Sequence, residues 1–172
     1  MNIFETENFI RTDIGTVLFS YGIFEEFSKW FVLYFIAYRS AEFDEPFDGV
    51  VYGTSVSLGF ATAENIIYLM SNGVEIAFNR ALLPVSSHAL FGVIMGFYMS
   101  KEKFTPGTKI FWMVLSLLIP SVLHGIFNYL MLNEELWVFI IPLMIFLWSL
   151  GMKTVQTAES LSKNHFNKQH SI

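Results

Sequence analysis

Residues 110–132 read IFWMVLSLLIPSVLHGIFNYLML, an apolar run with one histidine (His124), one amide (Asn128) and no Lys, Arg, Asp or Glu. Roughly 20 such residues are what a helix needs to cross the hydrocarbon core of a bilayer. The rest of the chain agrees. Hydrophobic residues make up 53% and aromatics 17%, while charged residues make up only 15%, with a mean hydropathy of +0.50. Soluble domains carry about a quarter charged residues, so this composition is written for lipid.

Four more stretches qualify or nearly so, which predicts an all-α, polytopic transmembrane bundle of about five spans: 14–38, 50–70, 81–99, 110–132 and 136–152. Residues 1–152 form the membrane-embedded domain. From Lys153 the sequence turns to Thr, Gln, Ser, Asn and Lys, and 153–172 reads as a polar, mobile cytoplasmic tail. The opening MNIFETENFIRTD holds three acids and one Arg and lacks the basic start of a signal peptide. With the tail inside, the cytoplasmic segments collect Arg39, Lys101, Lys103, Lys109, Lys153, Lys163 and Lys168, against Arg11 and Arg80 outside. That asymmetry predicts N-out, C-in. A net charge of -5 without a basic face argues against nucleic-acid binding. The absence of cysteine excludes disulfides, thiolate metal sites and a cysteine nucleophile.

Several side chains sit where lipid-facing helices do not tolerate them: Glu25, Glu26, Lys29, Glu64, His88, His124 and Asn128. A charge at the bilayer centre costs about 2.5–3.5 kcal/mol on insertion scales, so these groups must meet one another or water inside the bundle. Their depths match. Glu25 and Glu26 lie near the middle of the first span, and Glu64, His88 and His124 in the outer halves of theirs. Lys29 is i,i+4 from Glu25 and i,i+3 from Glu26, so either can pair with it. His124 and Asn128 share a helix face, with Ser121 one turn earlier. Small residues repeat at Gly49, Gly53, Ser57 and Ala61, and again at Gly92 and Gly96 beyond His88, a pattern that lets helix backbones approach closely.

Together the motifs resemble a known family. Glu25-Glu26-Phe27-Ser28-Lys29 is EExxK, Phe60 to Asn65 is FxxxEN, His88 lies in PVSSHALFGVIMGFY, and His124 to Asn128 is HxxxN. In this order they resemble the PrsW family of bacterial membrane proteases, distantly similar to CAAX prenyl endopeptidases and other glutamic intramembrane proteases. The resemblance runs from about Tyr21 through the fifth span. It implies a multi-pass protein of a bacterial cell membrane that makes the first cleavage of a single-span, membrane-anchored anti-sigma factor in envelope stress. Members usually carry further hydrophobic segments before EExxK, where 24 residues precede Glu25 here, so the chain reads as a short variant, a fragment or the product of a misplaced start. The last motif ends in Asn128, where relatives can have Asp.

The chemistry implied is peptide hydrolysis by glutamate-activated water, without a cofactor. Related families suggest Glu25 as general base, with Glu26 supporting it and pairing Lys29; the i,i+4 spacing argues for exchanging the two. Glu64 or His88 orients the water, and His124 with Asn128 donates to the oxyanion. Lys29 and Ser121 are supporting residues. The alternative is a zinc protease using His88, His124 and Glu64 or Glu25, although no HExxH pair is present. A proton-coupled transporter or non-enzymatic regulator is the alternative of a different class.

Overall fold

The computed structural model describes residues 22–73 and 81–170, and among them all regular structure is helical. Helix α1 is Phe24–Val32 and continues as wider π-helical turns over Leu33–Tyr38. Helix α2 is Asp48–Asn72. A π-helical segment, Ala81–Val85, leads into α3, Ser86–Phe104. Helix α4 is Lys109–Leu132, and a 3₁₀ turn at Trp137–Phe139 precedes α5, Ile140–His170.

Among the described residues, three stretches are long and apolar enough to cross a membrane: Leu83–Phe104, Lys109–Leu132 and Trp137–Gln169. Helix α2 is long enough at 25 residues but is not among them, and the expected first span is described only from Gly22 onward. Residues 14–21 of that span, Arg11 and Arg80 lie outside the described residues.

Helix α3 is the hub, with 13 of its 19 residues buried. One side meets α2 backbone to backbone. A Cβ added at Gly53, Gly92 or Gly96 would collide with the main chain or Ser57 of the opposing helix. The repeat of small residues is therefore an interface, as its spacing predicts. The other side of α3 packs Leu90 and Phe91 against Phe127 of α4 and against Ile140, Met144 and Leu147 of α5.

Helix α1 is inverted relative to a helix in water. Glu26, Lys29, Leu33 and Ala37 are buried, while Phe24, Phe27, Phe31 and Phe35 are exposed. Their spacing of three to four residues puts charge inward and aromatic rings outward, as a lipid solvent requires. Near its start α1 touches α4 closely. A Cβ at Gly22 would lie 2.7 Å from the Ser121 carbonyl oxygen and 2.9 Å from the Gly125 nitrogen. Only a residue without a side chain allows that approach, which sets α1 beside the face carrying His124.

The C-terminal segment departs from the expected mobile tail, because α5 continues in one piece to His170. Ala158 is fully buried in a cluster with Val50, Val93 and Phe97, and the Phe47 N–H donates to Ser162 Oγ at 2.8 Å. Thr154, Ala158 and Ser162 form a narrow stripe of small residues at four-residue spacing within a polar sequence. Composition hides such a stripe, since it needs no large apolar side chain.

Candidate functional site

Four helices bring the polar groups together. From α2, Glu64 Oε2 lies 3.0 Å from His88 Nε2 of α3. The other imidazole nitrogen, His88 Nδ1, takes the Lys29 ammonium of α1 at 2.7 Å. Lys29 Nζ also donates to Glu26 Oε1 at 2.5 Å, and that same oxygen is 2.8 Å from His124 Nδ1 of α4. Finally, His124 Nε2 faces Glu25 Oε2 at 3.9 Å. The sequence Glu64–His88–Lys29–Glu26–His124 is thus one continuous string of polar contacts, with Glu25 at its open end.

Burial separates the members. Glu26 and Lys29 are fully buried, His88 and His124 nearly so, while the side chains of Glu25 and Glu64 keep 25% and 30% exposure. The two half-exposed carboxylates face a cavity of about 260 Å³. Glu25, Glu64, His88 and Asn128 form its polar wall, and Pro84, Phe127, Met131 and Leu132 its apolar wall. Asn128 stands one helical turn beyond His124 and lines this cavity.

The packing around the string explains its rigidity. Ser57 donates to the His88 carbonyl at 2.6 Å, pinning the start of α3 to α2. The His124 ring stacks on Phe91 with centroids 5.2 Å apart and meets the His88 ring edge-on at 5.0 Å. Phe60, the first residue of FxxxEN, places its ring 5.9 Å from the Lys29 ammonium. The π-helical turn holding Pro84 ends at Val85, three residues before His88; such widened turns are frequent at functional sites.

Of the residues singled out by sequence, Glu25, Glu26, Lys29, Glu64, His88, His124 and Asn128 come together here. Ser121 does not. Its hydroxyl donates to Leu117 O of its own helix at 2.7 Å, and it lines an apolar groove with Ile23 and Trp30 on another side of α4. The rival pairings of Lys29 resolve in favour of Glu26, at i,i+3, leaving Glu25 turned to the cavity. The bond from Lys29 to His88 had no sequence signal, since 59 residues separate them. Nor did the ring of Phe91 beneath His124.

Glu25, His88 and His124 offer one carboxylate oxygen and two imidazole nitrogens within 4.8 Å of one another. In type this resembles the three protein ligands of a catalytic zinc. His124 suits that role, because a carboxylate on Nδ1 leaves Nε2 to bind. His88 does not, because Lys29 and Glu64 engage both of its nitrogens. A fully buried ammonium 2.7 Å from a ligand would also repel a dication. As arranged, Glu25 and His124 offer two ready ligands, and His88 completes the set only on leaving Lys29 or Glu64.

Comparison with known proteins identifies the family. Residues 2–151 match the family described as "PrsW family intramembrane metalloprotease". Among similar proteins, "Protease PrsW" of Geobacillus kaustophilus is 47% identical over 162 residues, covering 94% of this chain and 72% of the relative. "Protease PrsW" of Bacillus subtilis is 47% identical, covering 93% and 74%. That of Clostridioides difficile is 31% identical, covering 84% and 64%. No protein of solved structure matches. With charged side chains gathered inside a helical bundle and this similarity over nearly the whole length, the chain belongs to the PrsW family of intramembrane proteases.

Proposed function

We propose that this protein is an endopeptidase that hydrolyses a peptide bond within or beside the bilayer by means of a glutamate-activated water. It makes the first cut in a single-span anti-sigma factor from the outer side of a bacterial membrane, with five spans arranged N-out, C-in. The observation that carries the mechanism is the pairing of Lys29 with Glu26, which leaves the Glu25 carboxylate unengaged by lysine and facing a cavity. Two hydrogen bonds of about 2.8 Å each span roughly 4–5 Å when they meet at one water. The 3.9 Å gap between Glu25 Oε2 and His124 Nε2 is close to that reach.

Glu25 takes a proton from the water as the oxygen attacks the scissile carbonyl. Negative charge then develops on the carbonyl oxygen. Asn128 donates to it from its amide on the cavity wall, and His124, held at Nδ1 by Glu26, presents Nε2 to the same site. His88 and Glu64 border the attacking water. The apolar wall of Phe127, Met131 and Leu132 suits a substrate segment arriving from lipid.

Co-expression with candidate single-span anti-sigma factors tests this reading. The expected result is a truncated product that disappears with Glu25→Gln and with His124→Ala. Undiminished product from Glu25→Gln would refute the assignment of the base.

A zinc mechanism is the second reading, favoured by the family description and by the proximity of Glu25, His88 and His124. It requires His88 to leave Lys29 or Glu64. Stoichiometric zinc in pure, active protein, with activity lost on chelation and restored by zinc, would establish it over the glutamate mechanism.

A further inference from the structure

An imidazole with one proton can donate from one nitrogen only, and the other must accept. The partner of each nitrogen therefore decides the tautomer. At His88, the partner of Nδ1 is the Lys29 ammonium, a group with donors and no acceptor. Nδ1 must be bare. The proton then sits on Nε2, which donates to Glu64 Oε2 at 3.0 Å. At His124 the situation reverses. The partner of Nδ1 is Glu26 Oε1, a carboxylate oxygen that accepts only, so Nδ1 carries a proton and Nε2 is the atom turned toward Glu25.

We propose that the buried Glu26–Lys29 pair is a positioning device that fixes the two histidines of the site in opposite tautomers, Nε2–H at His88 and Nδ1–H at His124. The two acting residues lie one helical turn apart on α1, and the two imidazoles come from α3 and α4, with ring centroids 5.0 Å apart. One ion pair thereby programs both rings from a single rigid helix. A fully buried pair often contributes little net stability, and its double attachment to the histidines gives it a different reason to be there. Lys29 lies outside the residues lining the cavity, so it acts through His88 and not on the substrate.

The proposal rests on reading this cluster as the active site, and its test separates the two. Nitrogen-15 NMR of histidine-labelled, full-length wild-type protein in bilayers reports which nitrogens carry protons, with His88→Gln and His124→Gln assigning the signals. The expected result is an unprotonated Nδ1 with a protonated Nε2 at His88, and a protonated Nδ1 at His124. A proton on Nδ1 of His88 would overturn the proposal, even if cleavage and its loss in Glu25→Gln leave the protease reading intact. Conversely, the expected tautomers with undiminished cleavage by Glu25→Gln would sink the glutamate mechanism and not this assignment.

Variants at Lys29 supply the kinetic arm. Lys29→Met should redistribute the His88 tautomer and lower kcat about 100-fold, the scale of a small misplacement of a catalytic group, with KM unchanged. Lys29→Arg, which keeps the donor, should restore the Nε2–H signature and much of the rate. Should Lys29→Met fail to fold, the wild-type spectrum and Lys29→Arg still decide. A Lys29→Arg protein with the wild-type rate but a proton on His88 Nδ1 would count against the proposal.

Discussion

Along the contact between α2 and α3, the stretch around Gly53, Gly92 and Gly96 is bare backbone against backbone, whereas the stretch around Glu64 and His88 is ionisable groups from four helices. The first has no side chain to offer, and the second has side chains that lipid rejects. Their dependence on each other is geometric. The glycines bring α2 and α3 together closely enough for Ser57 to reach the His88 carbonyl and Glu64 to reach the His88 ring. Close backbone packing thus substitutes for the hydrophobic drive that a bilayer does not provide between helices. The polar groups in turn satisfy each other at that spacing.

Substitutions in the two stretches should differ in kind. The largest effect is expected from Glu25→Gln in the polar half, which keeps shape but removes basicity. Cleavage in a reconstituted assay should fall by about 10²–10⁴-fold, the usual worth of a general base, while the circular dichroism melt stays unchanged. A comparable loss of melting temperature would instead make Glu25 structural. Next is Asn128→Ala, which removes one donor from the cavity wall. A fall in kcat of about 10²–10³-fold is expected, as for other oxyanion donors, with little change in KM.

In the glycine half the loss should appear as stability. Gly53→Ala adds a methyl group where the α3 backbone stands and should cost about 1–3 kcal/mol by overpacking. Gly59→Ala is the control on the same helix: nothing lies within 4 Å of its Cβ. It should be neutral or stabilising by up to about 1 kcal/mol, through helix propensity. Equal destabilisation by the two in a detergent or bilayer unfolding titration would break the contrast drawn between the halves. The smallest effect belongs to Ser121→Ala. Its hydroxyl serves only its own helix, so activity should match wild type and stability should change by less than about 0.5 kcal/mol.

Ser121 also marks where sequence reasoning stops. Helical spacing groups it with His124, one turn away on α4, but turn counting places residues on a helix without saying which neighbour occupies the facing space. Here that neighbour is α1 at Gly22, which presses on the Ser121 carbonyl and leaves the hydroxyl to Leu117. Lys29 is the complementary case. Helical spacing allowed Glu25 or Glu26 as its partner, and the choice fell to Glu26 because His124 and His88 approach α1 from that side. The final segment of α5 reads as mobile in the sequence because its polar composition resembles a tail. Its buried stripe of Thr154, Ala158 and Ser162 becomes visible only against Val50, Val93 and Phe97.

From the sequence alone came the helical membrane architecture and the roster of groups too costly to leave in lipid, since both follow from hydropathy along the chain and from the energy of burying charge. The similar positions of Glu25, Glu26, Glu64, His88 and His124 along their expected spans could be counted for the same reason. Only the tertiary structure decided which carboxylate holds Lys29, which nitrogen of each histidine is engaged, and that Glu25 faces the cavity. Those outcomes depend on how helices rotate and approach one another at Gly22, Gly53 and Gly92. Contacts between residues distant in the chain are set by that three-dimensional fit, on which local periodicity is silent.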